Sequence, residues 1–318
     1  DPAMILLLLR RFASLIVTLL LASLAIFVVL EVLPGDPAAI MLGTEAREDT
    51  LAALRQQMGL DRPAYERYLD WLGGMLTGDL GLSMTYRVSV SELVADRLAV
   101  TIPLAVMAIL ISTALAVPLG LIAAANHEKV ADRGVMLFAQ IGVAIPNFWF
   151  GLLLILFFSS YLGWFSAGGF PGWAANPALA LKALLLPAIA LALPQAAILA
   201  RVTRSSVLEI LGEDFVRTAR AKGLTRRVTL HRHVLRNALI PVVTVMGMQF
   251  SFLVAGAILV ENVFTLPGLG RLLFQAMSQR DLVVIKDVVL LFAALVILVN
   301  FLVDLAYAWL DPRLRQRT

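Results

Sequence analysis

Long uninterrupted apolar runs constrain this chain more than any other feature. They cover Phe12 to Leu33, Leu98 to Ala125, Gly134 to Leu162, Leu184 to Leu199, Ala238 to Val260 and Val288 to Leu310. About 20 apolar residues in a helix cross a hydrocarbon core about 30 Å thick. Of the 318 residues, 60% are apolar and 15% charged, against about 45–50% and about 25% in a soluble domain. A soluble enzyme, a disordered regulator and a nucleic-acid module are excluded. The pattern predicts an all-α membrane protein with six transmembrane helices. The fourth run is the shortest, and Pro187 and Pro194 break it. The first run is too long for a signal-peptide core and lacks a small-x-small cleavage site, so it reads as a retained span. Residues 1–3 precede Met4 and read as an expression remnant.

Charge decides the sidedness. Lys and Arg gather in cytoplasmic loops, and with six spans both termini share one side. Arg10 and Arg11 precede the first span, and Arg313, Arg315 and Arg317 follow the sixth. The stretch 201–236 holds nine Lys or Arg against Glu209, Glu213 and Asp214, whereas 34–97 holds six Arg against ten Asp or Glu. The expected organisation is a cytoplasmic N-terminus at 1–11, a first span at 12–33 and a periplasmic segment at 34–97. A core of spans two to six follows at 98–310, with a cytoplasmic loop at 201–236 and a tail at 311–318. The net charge of +4 is thus accounted for without a nucleic-acid partner. The periplasmic segment carries helical patterning at Leu51, Leu54 and Met58, then at Tyr65, Tyr68, Leu69 and Leu72.

Catalytic signatures are missing. No phosphate-cradling Gly-x-x-x-x-Gly-Lys-Ser/Thr occurs, so the chain has no ATP site of that kind. His127-Glu128 starts a zincin-like pattern that Ala131 ends, and Thr85 spoils the nucleophile elbow begun at Gly81. Cys is absent, which excludes disulfides and thiolate metal sites. Charges near the middle of a span would mark a proton relay or voltage sensor. Glu31, Glu261 and Asp304 instead lie near span ends, where snorkelling or interhelical hydrogen bonding accounts for them. The chain reads as neither an enzyme nor a metalloprotein.

The stretch Glu213 to Leu224 is the most distinctive polar segment. Val216, Ala219 and Gly223 form a narrow stripe at helical spacing, flanked by Arg217, Arg220 and Lys222. Gly223 is placed to end the helix with a left-handed turn. A short amphipathic helix of this kind suits a groove on a soluble partner. On residues alone, a merely cytoplasmic basic loop stays open beside it.

The same stretch resembles the EAA loop of ABC importer permeases, Glu-Ala-Ala-x3-Gly-x9-Ile-x-Leu-Pro. Gly223, Ala219 and Leu235 match it, while Arg217, Thr218, His233 and Arg236 stand where Glu, Ala, Ile and Pro are usual. Thr-Ala-Arg-Ala-Lys-Gly followed by Arg-His-x-Leu-Arg-Asn-Ala-Leu-x-Pro is similar to the dipeptide, oligopeptide and nickel branch. Leu33 to Pro37, Gly78 to Gly81, Ile145 to Trp149, Glu261 to Arg271 and Asp311 to Arg313 resemble that branch in order along the chain. The long segment after the first span looks like its "B" subunit.

The resemblance implies a type I ABC importer permease fold with an exterior helical segment after the first helix, set in the bacterial inner membrane. It implies a second homologous permease, two cytoplasmic ATPases, a periplasmic solute-binding protein and no nucleic acid. ATP and Mg would bind in the ATPases, with no cofactor on this chain. Coupling would fall to Val216, Arg217, Ala219, Arg220, Lys222 and Gly223. Pathway or gate candidates are Asn147, Phe148, Met246, Gln249 and Phe252, with Glu261, Pro267, Gly268 and Gly270 shaping an irregular exterior segment. Packing is the competing role for the first five. A di- or oligopeptide is the implied solute, with glutathione and nickel chelates open. A stand-alone channel or secondary carrier is the alternative class, and a scaffold subunit a further one.

Overall fold

The structure, a computed structural model, describes residues 2–32, 36–43 and 47–310. Leu33 to Gly35 of the first family-like motif, Asp311 to Arg313 of the last, Arg315, Arg317 and the Asp304 side chain lie outside the described residues. The described residues are helical apart from turns, loops and an isolated antiparallel bridge between Leu82 and Ser89. Five helices are long and apolar enough to cross a membrane, and a bent pair makes a sixth. Two compact units form, residues 1–101 with 267–298, and residues 102–266 with 299–318.

In the first unit, α1 (Pro2–Phe27) continues through a wider π-helical turn at Val28–Val32. Three helices follow in the segment after the first span: α2 (Pro37–Leu42), α3 (Glu48–Gln57) and α4 (Ala64–Thr77). Asp36 caps α2 by accepting the Ala38 N–H, and Arg55 of α3 grips its other carboxylate oxygen through Nε at 2.9 Å. That bond holds the Asp36 pKa below the usual carboxylate range. Helix α4 is fixed to α1 by aromatic packing. The Phe27 ring lies 5.4 Å from Tyr68 and 6.1 Å from Trp71, and Ser23 Oγ meets Tyr68 OH at 2.8 Å.

Charges lock the same corner. Glu31 receives Arg67 Nη1 at 2.9 Å and also pairs with Lys286 of α13 (Leu282–Leu310). The polar residues of the sequence thus do not merely snorkel here; Glu31, Arg67 and Lys286 are all nearly buried, and the one carboxylate pairs with both cations. Helix α13 accordingly starts at Leu282, six residues before the apolar run at Val288. Asp281, fully buried, precedes it and accepts Ser83 Oγ at 2.6 Å and the Thr85 N–H at 3.1 Å.

The second unit is built on α8 (Pro177–Leu211), a continuous 35-residue helix. The sequence predicts a short span broken at two prolines, yet Pro187, buried, and Pro194, half-buried, both sit inside the helix. Neighbouring helices and local adjustment compensate the lost bonds of proline inside membrane helices. The Asn176 side chain caps its start, accepting the Ala178 and Leu179 N–H groups. The third predicted span shows the opposite behaviour. It divides into α6 (Val130–Ala144) and α7 (Asn147–Leu154, continued by π-helical Ile155–Tyr161), bent by 101°. Ile145 is extended because Pro146 disfavours a helical conformation in the residue before it.

Small residues let these helices close on α8, as in other membrane bundles. A Cβ on Gly120 of α5 (Val90–Ala125) would lie 2.5 Å from Thr203 Cβ, and one on Gly142 of α6 would lie 2.8 Å from Ala197 Cβ. The last long helix of this unit, α11 (Leu235–Val263), follows α9 (Asp214–Ala221), α10 (Arg226–Val228) and a π-helical turn at Thr229–Val234. Ala116, Ala196, Leu199, Ala200 and Val242 form one buried cluster joining α5, α8 and α11.

Candidate coupling segment and pathway residues

Much of the basic stretch 201–236 is helix rather than loop. Helix α8 runs on to Leu211, and the helical path into α11 resumes at Arg226. Between them α9 stands as an eight-residue helix. Its termination follows from Gly223, as the sequence predicts. Gly223 has φ +86°, its N–H donates to Arg220 O at 2.9 Å, and the Leu224 N–H donates to Ala219 O at 3.3 Å. This is the paired hydrogen-bond closure of a helix ending on a left-handed residue.

The small apolar stripe does not face outward. Val216 is 1% exposed and Ala219 8%, and Val216 packs with Ala124, Val207, Leu230, Val234 and Ala238. An eight-residue helix is too short to persist on propensity alone, so this stripe fixes α9 to α8 and the π-helical turn. The free face is formed by Phe215, Arg217, Thr218, Arg220 and Lys222, all exposed, with Gly223 at its end. Chemically, that face offers cations around one aromatic ring.

A polar cluster that sequence reasoning missed braces the same end of the unit. Asp132 of α6 is 3% exposed and takes a bidentate grip from Arg204 of α8, Nε to Oδ1 at 2.5 Å and Nη2 to Oδ2 at 2.8 Å. The Glu128 N–H donates to the same Oδ2 at 2.9 Å, and His127 Nδ1 lies 3.2 Å from it. Arg226 Nη2 donates to the Ala125 carbonyl at the end of α5. The sequence signal was only the clustering of charges at the ends of two runs, without a way to pair them.

The pathway candidates separate into different environments. Asn147 is half-buried at the start of α7, where its Oδ1 accepts the Phe148 N–H at 2.8 Å; Gly256 of α11 leaves room for its amide. Phe148 is exposed. Gln249 is 5% exposed, and its Nε2 donates to Gln195 O at 3.1 Å, which ties α11 to α8. Met246 is half-buried beside the Thr113 hydroxyl, and Phe252 is 66% exposed. Gln249 and Asn147 thus make contacts between helices, while Phe148 and Phe252 are exposed.

The gate segment is more regular than the sequence predicts. Glu261 lies in the last turn of α11 with its side chain fully buried, and its carbonyl accepts the Leu266 N–H at 2.8 Å. Gly268 has φ −104° and caps α12 (Leu269–Gln279), so Gly270 is inside a helix rather than in an irregular run. The Leu269 N–H donates to Thr101 Oγ1 at 2.9 Å. Pro267 is half-buried just before this cap. Separately, the loop after α7 closes on the turn after α11, with the Gly169 N–H donating to Phe264 O at 3.0 Å. A cavity of about 440 Å³ lies there, lined by Phe165, Phe170, Lys182 and Phe264 among others. Sequence reasoning passed over it, although the aromatic run from Trp164 to Trp173 was its visible sign.

No group of three or more metal-ligating side chains occurs among the described residues. Comparisons with known proteins complete the picture. Residues 116–316 match the family model of the binding-protein-dependent transport system inner membrane component, and residues 4–105 match the N-terminal model of such membrane components. A putative peptide transport system permease protein of Brucella abortus is 41% identical over 309 residues, covering 97% of this chain and 98% of that protein. The glutathione transport system permease protein GsiC of Escherichia coli O6:H1 is 40% identical over 308 residues, covering 97% and 98%. Among solved structures, the inward-facing methionine ABC transporter MetNI aligns with a TM-score of 0.52 at 21% identity, over 70% of this chain and 96% of that one. An amino acid ABC transporter with histidines aligns at 0.51 and 17% identity, over 69% and 94%. The fold is thus that of importer permeases, and the first span with the long segment after it falls within a separate N-terminal family model. ATP hydrolysis in these systems resides in separate subunits, so this chain is not itself the enzyme. The chain belongs to the binding-protein-dependent transport system inner membrane components, and is a multi-pass inner-membrane permease of an ABC importer.

Proposed function

We propose that this permease carries di- or oligopeptides inward, forming half of a pathway completed by a second homologous permease. The observation that carries the reading is near-full-length similarity to proteins named for peptide and glutathione transport. Glutathione is itself a tripeptide, so both names point to one class of solute. Two cytoplasmic ATPases binding ATP and Mg, and a periplasmic solute-binding protein, complete the assembly. Both termini and α9 lie on the cytoplasmic side, which the Lys and Arg excess of 201–236 supports.

Coupling runs through α9. Phe215, Arg217, Arg220 and Lys222 enter a groove on an ATPase, while Val216 and Ala219 transmit the movement to α8, with Gly223 fixing the helix end. This division is supported by the inward burial of the stripe and the exposure of the basic face. The Glu261 to Gly270 segment shapes the exterior gate, and Asn147, Phe148, Met246, Gln249 and Phe252 adjoin the pathway.

Reconstitution tests the reading. Proteoliposomes holding the permease pair, the ATPases and the matching binding protein should accumulate labelled dipeptide or tripeptide only with ATP. Accumulation of nickel chelate or sugar with no competition by peptides refutes the peptide assignment. A label reaching an insertion at Arg62 from the cytoplasm alone refutes the orientation.

A further inference from the structure

We propose that a cavity inside the first unit binds one acyl chain of an ethanolamine phospholipid, whose ammonium donates to Asp287. The cavity measures about 700 Å³ and is lined by α1, α4, the start of α5 and α13. Leu19, Leu72, Leu98 and Leu290 represent its apolar wall, in which Ser23, Ser91 and Asp287 are the conspicuous polar side chains. Both serines are already committed. Ser23 Oγ bonds Leu20 O and Tyr68 OH, and Ser91 Oγ donates to Gly78 O and accepts the Leu80 N–H.

Asp287 is different. It is 1% exposed, and its Oδ1 accepts Trp71 Nε1 at 2.6 Å, while Oδ2 has no hydrogen-bond partner. A buried carboxylate oxygen is stabilised by a donor, most strongly by a charged one. Lys286 attracts the carboxylate through space but, like Arg67, makes its ion pair with Glu31 rather than a hydrogen bond to Oδ2. Glu31 and Asp281 add only negative charge nearby. No donor of this cluster is hydrogen-bonded to Oδ2, so a ligand that brings an N–H group would complete the site.

Position selects the source. Asp287 is five residues into α13, about 8 Å along its axis. It lies at the start of a membrane-spanning segment, where headgroup and chain meet, and the wall below it is made of residues from three spans. A lipid supplies both parts at once, an alkyl chain for the leucine wall and an ammonium at its head. Phosphatidylcholine supplies the charge without an N–H donor, and phosphatidylglycerol supplies hydroxyl donors without the cation.

The transporter complex, delipidated in detergent and re-equilibrated with equal amounts of dioleoyl phosphatidylethanolamine, phosphatidylcholine and phosphatidylglycerol, is examined by native mass spectrometry. The wild type should retain a tightly held phosphatidylethanolamine about tenfold over either competitor. Asp287→Asn should reduce this preference toward parity. Ala294→Phe, which fills the cavity but keeps the carboxylate, should lose the adduct in complexes that still co-elute with their ATPases. Equal retention of the three lipids by the wild type overturns the proposal, as does undiminished retention in both variants. A structure of the assembled transporter with a helix of another subunit in the cavity overturns it too.

Discussion

Gly142→Ala tests whether the helices of the second unit are held at contact distance by the absence of one methyl group. The new Cβ would stand 2.8 Å from Ala197 Cβ, with its next neighbour, Leu193 O, at an ordinary 3.6 Å. Two methyl carbons settle near 3.5–4.0 Å, so α6 and α8 must part by about 1 Å along that line. Overpacking of this kind costs about 1–3 kcal/mol. Replacing glycine by alanine inside a helix returns about 0.5–1 kcal/mol, which leaves a net loss of about 0–2.5 kcal/mol. The reciprocal change Ala197→Gly costs about 1 kcal/mol in helix propensity but removes the opposing atom. Thermal unfolding of the detergent-solubilised permease, followed by aggregation-sensitive chromatography, ranks the four proteins. The double variant should be more stable than Gly142→Ala alone, with a coupling above about 0.5 kcal/mol, as expected for residues in contact. Strict additivity refutes the close approach, as does a Gly142→Ala single variant more stable than the wild type.

Gly223→Val should leave the permease inserted but reduce ATPase co-purification and substrate-stimulated ATP hydrolysis, because φ +86° resists a β-branched residue although nothing crowds the site; Gly223→Asn, tolerant of that conformation, should retain most of both. Arg204→Leu strands Asp132, and loss of one partner of a buried ion pair costs about 3–5 kcal/mol; a solubilised sample should aggregate at lower temperature, and adding Asp132→Asn should recover part of the loss. The Asp36 pKa is depressed when folded, chiefly by Arg55, so its contribution is complete above about pH 4 and fades as pH falls through the lower folded value. Hydrogen exchange of α2 and α3 should therefore accelerate below about pH 4, and Arg55→Met should weaken that pH dependence, leaving the part due to the backbone N–H groups of α2.

The spans were legible because bilayer thickness fixes their length. The break between α6 and α7 was not, since the apolar run from Gly134 to Leu162 gives no sign of it beyond Pro146. Prolines gave opposite outcomes in α7 and α8, because the surroundings of α8 hold it straight. Its Pro187 is buried and its Pro194 half-buried, while Pro146 lies exposed. The start of α13 was hidden for an electrostatic reason. Lys286 and Asp287 look too polar for a span until Glu31 and Trp71, distant in sequence, are brought to them. The basic character of α9 and its terminal glycine were readable locally. The inward turn of Val216 and Ala219 was not, since it depends on α8, the end of α5 and the π-helical turn arriving beside them.

The unbroken course of α8 has a mechanical consequence. At 35 residues it is about 52 Å long, and Val207 near one end belongs to the same buried cluster as Val216 of α9. A rigid rod of that length magnifies small rotations: a tilt of about 5° about one end sweeps the other through about 4–5 Å. With α6 held to it by Arg204 and α11 by Gln249, a tilt imposed beside α9 would carry both neighbours along and be largest at the far end of the unit.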